Sequence, residues 1–265
     1  MSHRSLQQAL VIALHDDGFV AAMHAEPEAT LVPLGLDARE RSQLLAIDRR
    51  AFRTDPLRRR RLLRTLSEEL KVSTTLLLWE TRSAASVEAF FGSRFFRGAV
   101  IGRAPLAPAF GEFLASLPSR TPQLADIVRL ETTTARCRRD RHRPPAAGTA
   151  LAPGVAVDAF DAATVDSMQR VERWLFELGL MPQLAFCADG PPLPDLPAPG
   201  PAAPLLFTPT QTGVSLTPID ADLFEVLAVF RQPRADAAAA LPHMPPAGAR
   251  ALVASLVEDG LLATG

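Results

Sequence analysis

The sequence predicts an α+β chain in two parts: an all-α helical domain over residues 1–145 and a smaller α/β domain over residues 146–265. Three observations carry this. Apolar residues recur at helical spacing from Leu6 to Cys137, with no convincing strand-type alternation. The stretch 144–154, PPAAGTALAPG, shifts to Pro, Ala and Gly and reads as a linker. Two short apolar runs, 205–208 and 214–217, then flank residues 209–213 and read as a hairpin. At 265 residues and 48% hydrophobic content the chain is long enough for two cores.

Residues 6–23 repeat Leu6, Leu10, Ala13, Leu14 and Val20 at helical spacing, a pattern that Gly18 weakens and divides. Pro27 and Pro33 mark a loop. Asp37, with Glu40 three residues on, is a capping box for a helix through Leu44, Leu45, Ile47 and Phe52. The densest charge follows. Asp55-Pro56 is a helix start signal. Leu62, Leu63, Leu66 and Leu70 share one face of that helix, which ends near Lys71. Arg58, Arg59, Arg60 and Arg61 are consecutive, so at about 3.6 residues per turn they point all round it. Some must lie on the packed side and find carboxylates or a partner. A solvated basic face with snorkelling stems is the plainer alternative. Ser73, Thr74 and Thr75 open a further helical stretch to about Thr81. Residues 83–96 read as short helix, turn and aromatic cluster, with Phe90, Phe91, Phe95 and Phe96 as core. Helices over 105–117 and 123–137 complete a set of about six.

Beyond the linker, residues 155–160 alternate enough for a short strand. Residues 164–178 place Val165, Met168, Val171, Trp174 and Leu175 on one helical face. Residues 189–204 hold seven prolines, which predicts an extended loop. The hairpin is followed by three helices, 220–230, 235–241 and 246–259, the last ended by Gly260. A hairpin with three short helices outlines a winged-helix-like domain. Its edge strand is suited to accept an added peptide strand.

A net charge of -1 means that any polyanion binding must come from a local patch. Lys71 is the only lysine. An Arg-, Ala- and Pro-rich chain reflects GC-rich coding, so Arg usage alone does not argue for bidentate recognition. Two cysteines, Cys137 and Cys187, make neither a disulfide framework nor a zinc site, and a reducing cytoplasm is the expected compartment. The apolar run 10–14 is too short for a secretory signal. The stretch 89–102 is interrupted by Arg94 and Arg97, so no membrane span is expected.

The search for chemistry returns no constellation. His15, Asp16, Asp17 and His24 share no helical face that would hold a metal. His142 sits among arginines, and His243 lies in a Pro-rich turn. Arginines around Cys137 favour its thiolate in principle, but no base or second cysteine stands beside it. There is no phosphate loop and no nucleophile elbow. No catalytic and no metal residue is assigned, which favours a binding subunit over an enzyme.

Several segments together resemble one family: LLAIDRRAFRTDPLRRRRLLRTLSEEL (44–70), VEAFFGSRFF (87–96), LAPAFGEFL (106–114), LADIVRLETTTARCRR (124–139) and LLFTPTQTGVSLTPIDADLFEVL (205–227). In that order they look like the partner subunits of multinuclear non-haem iron oxidative enzymes, the group of MbnC, TglI and HvfC-type proteins. The resemblance covers most of the chain after about residue 40. It implies a heterodimer with a separate TIM-barrel enzyme that carries the iron, and no cofactor in this chain. It also implies a C-terminal module like the recognition elements of ribosomally made, post-translationally modified peptides. The leader of a precursor peptide would dock there and the core peptide would reach the iron for oxidative modification. On this resemblance, leader docking falls on Val214, Ser215, Leu216 and Thr217 and on Leu252, Val253 and Leu256 of the last helix. Taken singly, each of those three helix residues reads more readily as ordinary core. Arg58, Arg59, Arg61, Arg136, Arg138 and Arg139 are the candidate partner-binding residues, with Arg141 and Arg143 in the same basic stretch.

The alternative from another class is a winged-helix DNA-binding regulator. A DNA reader carries its positive charge on the recognition helix and wing. Here the last helix has Arg250 alone against Glu258 and Asp259, and the hairpin has no charge. Nucleic acid is therefore disfavoured, and a stand-alone enzyme more so.

Overall fold

A computed structural model describes residues 3–55, 57–179, 181–182 and 192–265. The fold is mixed α+β, and the chain divides into two compact units, residues 1–128 with 171–194 and residues 129–170 with 195–265. Two of the three divisions fall inside long helices and the third between Pro194 and Asp195, none in the Pro/Ala/Gly stretch.

The first unit begins with α1 (Arg4–His15), α2 (Asp17–Ala25), α3 (Pro27–Leu31) and α4 (Ala38–Leu45). The break in the predicted 6–23 helix is at Asp16, not Gly18. Asp16 takes an extended conformation and accepts the Phe19 N–H at 3.0 Å, which makes it the N-cap of α2. Pro27 does not mark a loop. It stands in the first turn of α3, where its missing N–H costs nothing. The Asp37–Glu40 capping box forms in both directions. Ala9, Ile12, Met23, Leu31 and Leu44 close a core with no exposure.

The Arg-rich helix α5 (Arg58–Glu69) leads into α6 (Lys71–Thr81), α7 (Ala85–Glu88), α8 (Arg94–Gly102) and α9 (Leu106–Ser116). Pro56, half of the predicted start signal, lies outside the described residues. Asp55 nevertheless accepts the Leu57 N–H at 3.1 Å and pairs with Arg61. α6 opens at Lys71, and every residue from Val72 to Leu78 is buried, which makes it the central element of this unit. Polar Ser73, Thr74 and Thr75 are fully buried with it. The aromatic cluster forms around Phe90, whose ring lies 5.1 Å from Phe110 and 5.5 Å from Phe96. Phe95 is only half-buried, edge-on to Phe113 at 6.3 Å.

His15 joins this cluster, its ring 5.6 Å from both Phe91 and Phe96. Burial, ahead of the charges of Arg58 and Arg59, lowers its pKa from 6.5. The unfolded chain therefore takes up a proton near pH 6.5 that the folded chain resists. The stabilising difference is present above that pH and is lost as the pH falls through it. Denaturant titrations are expected to show stability declining below about pH 6.5, with a shallower decline in His15→Phe.

The second unit contains most of α10 (Leu124–Asp140), then β1 (Thr149–Leu151), β2 (Ala156–Asp161) and the first half of α11 (Ala162–Leu178). β3 (Ala202–Pro209), β4 (Val214–Pro218), α12 (Ala221–Val229), α13 (Pro246–Glu258) and β5 (Leu262–Thr264) complete it. A three-stranded antiparallel sheet runs β2-β3-β4, and β1 pairs with β5. The predicted hairpin is β3–β4, with Phe207 opposite Leu216. The stretch read as a linker thus holds a strand, which at three residues is too short to show a period. Gly154 within it has φ of 81°, and a Cβ there would meet the Cys137 carbonyl oxygen at 2.8 Å. That approach requires glycine.

The predicted helix 235–241 is a turn. Arg234 bridges to Thr149, and the Asp236 carboxylate accepts the N–H groups of Ala238 and Ala239, both at 3.0 Å. Pro242 bounds the segment, because the residue before a proline is disfavoured in the helical region. Residues 183–191, which include Cys187 and the start of the predicted Pro-rich loop, lie outside the described residues.

Candidate functional site

Among the described residues the hairpin ends the sheet, so β4 is an edge strand. Its outward-facing groups follow from the register. The Thr210 N–H reaches the Gly213 carbonyl at 2.9 Å, and the Ile219 N–H reaches that of Pro204 at 3.2 Å. Antiparallel alternation then directs Ser215 and Thr217 toward β3. It leaves the N–H and C=O of Val214 and Leu216, and the C=O of Pro218, on the free edge. Arg141 fixes the hairpin tip, donating to the carbonyls of Thr210 at 3.3 Å and Gln211 at 3.5 Å.

The two sheet faces pack differently. Val214 and Leu216 rest on a cluster with Leu130, Cys137, Phe160 and Phe207. Leu252, Val253 and Leu256 of α13 belong to the other cluster, with Val157, Leu206, Leu227 and Phe230. Leu256 is 5% exposed, an ordinary core residue, while Leu252 and Val253 are half-buried at its margin. The seven residues predicted for peptide contact therefore divide between the two sheet faces. Those that offer free backbone groups at the edge are Val214 and Leu216.

The arginines of α5 are mostly engaged. Arg58 donates to the Leu14 carbonyl at 3.4 Å, Arg59 pairs with Asp17 at 3.0 Å and Arg61 with Asp55. Arg60 faces outward. Near the end of α10, Arg143 pairs with Asp140 at 3.2 Å, and Arg136, Arg138 and Arg139 are exposed. Arg136, Arg143 and Arg231 line an open cleft of about 510 Å³ with Asp140 and Asp158.

Cys137 does not carry the lowered pKa that its arginine neighbours suggested. Its side chain faces the core, and burial pushes the thiol up to about 11, outweighing Arg136. At pH 8, three units lower, about one thiol in a thousand is ionised. Site-resolved alkylation by iodoacetamide is expected to leave Cys137 largely unmodified until the unit is unfolded in urea.

The sequence-derived candidates leave out the most exposed of the large apolar residues described. Phe176 on α11 is 86% exposed, one turn from buried Val171, Trp174 and Leu175. Trp174 packs edge-on against Trp79 at 5.5 Å. The signal was present: Phe176 is a large aromatic that falls outside the apolar repeat of its helix.

Comparison with protein-family profiles, with curated proteins and with solved structures finds no match to this chain. Among the described residues, no helix is long and apolar enough to cross a membrane.

Proposed function

We propose that this chain is a non-catalytic partner subunit that binds a TIM-barrel iron-dependent oxidative enzyme and the leader of a ribosomally made precursor peptide, presenting the peptide for oxidative modification. The observation that carries this reading is the unpaired β4 edge. Among the described residues it offers two N–H groups and three carbonyls along an extended strand on which Val214 and Leu216 are half-buried against the sheet's own cluster. Backbone pairing there holds a peptide without selecting its side chains strongly, as a subunit that grips a leader requires. The second unit is the winged-helix-like module in this reading, with β4 as the accepting strand and α13 beside it. Phe176 and the outward Arg60, Arg136 and Arg138 are the groups available to the enzyme. An exposed Phe is the kind of anchor that a partner pocket buries.

Charge runs against the DNA-binding alternative. The exposed face of α13 carries Arg250 with Glu258 among alanines and serine, so the helix that would enter a groove has no basic stripe.

The test is co-expression with the product of an adjacent gene, followed by size-exclusion chromatography, iron analysis and leader titration. Co-elution with an iron-containing chain is expected. Leu216→Pro removes one outward N–H from a strand edge where proline is tolerated. Leu216→Ala truncates the same packed side chain but keeps the N–H, so the two variants should lose similar stability while Leu216→Pro alone weakens leader binding at least about tenfold. A monomer that ignores its neighbour but shifts duplex DNA in a salt-sensitive way would sink the reading.

A further inference from the structure

The three-stranded sheet has a second edge, β2, and three of its outward backbone groups hold partners from within the chain. Leu205 faces β2 in the register that pairs it with Asp158, so Val157, Ala159 and Asp161 turn their backbone groups away from β3. At Val157 the carbonyl accepts Arg231 Nη2 at 2.8 Å. At Ala159 the carbonyl accepts Arg129 Nη2 at 2.8 Å, and the N–H donates to Asp158 Oδ1 at 2.9 Å. That same Asp158 oxygen lies 3.0 Å from Arg129 Nη1 and 3.9 Å from Arg231 Nη2. Each guanidinium also lies over an aromatic ring. Arg129 is 4.2 Å from the centroid of Phe160 and Arg231 is 5.5 Å from that of Phe224.

We propose that Arg129, Asp158 and Arg231 form a guard that closes the β2 edge to strand addition and leaves β4 as the accepting edge of the sheet. The physical argument is competition for the same backbone groups. An incoming strand would pair with the N–H and C=O of both Val157 and Ala159, and both carbonyls and the Ala159 N–H are taken. All three already hold partners within the unit, at no entropic cost of association. A charge-assisted donor on each carbonyl is also a stronger partner than a neutral peptide N–H. Arginine suits the task because its planar fork can hold a backbone carbonyl with one nitrogen and the Asp158 carboxylate with another. An unguarded edge of this kind would pair with the same edge of a second copy of the chain. The proposal concerns β2 and holds whether or not β4 receives a leader, so its failure and that of the functional reading are separate results.

Hydrogen exchange on the full chain at low concentration tests it, because the molecule contains its own control. The amides of Ala159 on β2 and Leu216 on β4 both point away from the sheet. The guard predicts that Ala159 exchanges roughly tenfold more slowly than Leu216, each corrected for its intrinsic rate. Equal or faster exchange at Ala159 overturns the proposal. The double variant Arg129→Ala/Arg231→Ala is then expected to self-associate with rising concentration in sedimentation velocity, beyond the wild-type chain. Adding Val157→Pro, which places a ring on the freed edge, is expected to return it to wild-type behaviour. A double variant that melts like the wild type and associates no more than it does also overturns the proposal. If the double variant does not fold, the exchange comparison in the wild-type chain decides.

Discussion

Arg97→Ala is expected to lower the stability of the first unit by about 2–3 kcal/mol, more than Asp16→Asn at the other end of the same ion pair. The asymmetry comes from burial. The Asp16 side chain is 5% exposed, while that of Arg97 is 43% exposed. Asp16 Oδ2 accepts Arg97 Nε at 3.1 Å and Nη2 at 2.6 Å, and its Oδ1 caps α2. Removing the arginine strands a carboxylate out of reach of water with the cap as its remaining partner. Removing the charge of Asp16 instead frees a guanidinium that can turn to solvent, and Asn still caps. Denaturant melts of Arg97→Ala, Asp16→Asn and the double variant check this. The double variant should be more stable than Arg97→Ala alone, because neutralising Asp16 relieves the stranded charge. If Arg97→Ala proves no worse than Asp16→Asn, Asp16 is better hydrated than its burial implies.

Phe207→Ala is expected to cost the second unit about 3–5 kcal/mol, from lost apolar contact and the cavity left behind. Phe207 sits on the central strand with no exposure, tilted against Phe160 at 5.9 Å. Val214 and Leu216 rest on the same cluster, so the variant also loosens the β4 edge while leaving its backbone atoms unaltered. Thermal melts and leader titrations should therefore fall together in Phe207→Ala. Between Leu216→Pro and Leu216→Ala they should separate, with similar melts and leader binding lost further in Leu216→Pro. A Phe207→Ala chain that melts like the wild type would show that the sheet is held elsewhere.

The legible parts of this protein were those in which the signal is local. Asp37 and Glu40 announce their own helix start because the capping box closes within four residues. The hairpin was readable because a Pro- and Gly-bounded turn separates two apolar runs. The register of β4 then places Val214 and Leu216, both among the predicted peptide-binding residues, at the free edge. Leu252, Val253 and Leu256 were legible as apolar and not as to role, since a helical stripe looks the same whether it meets a core or a groove. Cys137 misled because sequence shows its arginine neighbours along the chain and not the sheet beneath it.

The sequence by itself determined the helical repeats, the caps and the hairpin, because each rests on spacing of a few residues. Only the tertiary structure decided that Asp16 finds Arg97, that the chain end pairs with the supposed linker, that Phe176 is left in solvent and that Arg129 and Arg231 meet across Asp158. Those contacts join residues tens of positions apart. Nothing in a local pattern specifies which side chain a packed surface brings to a buried carboxylate or to the carbonyls of a strand edge.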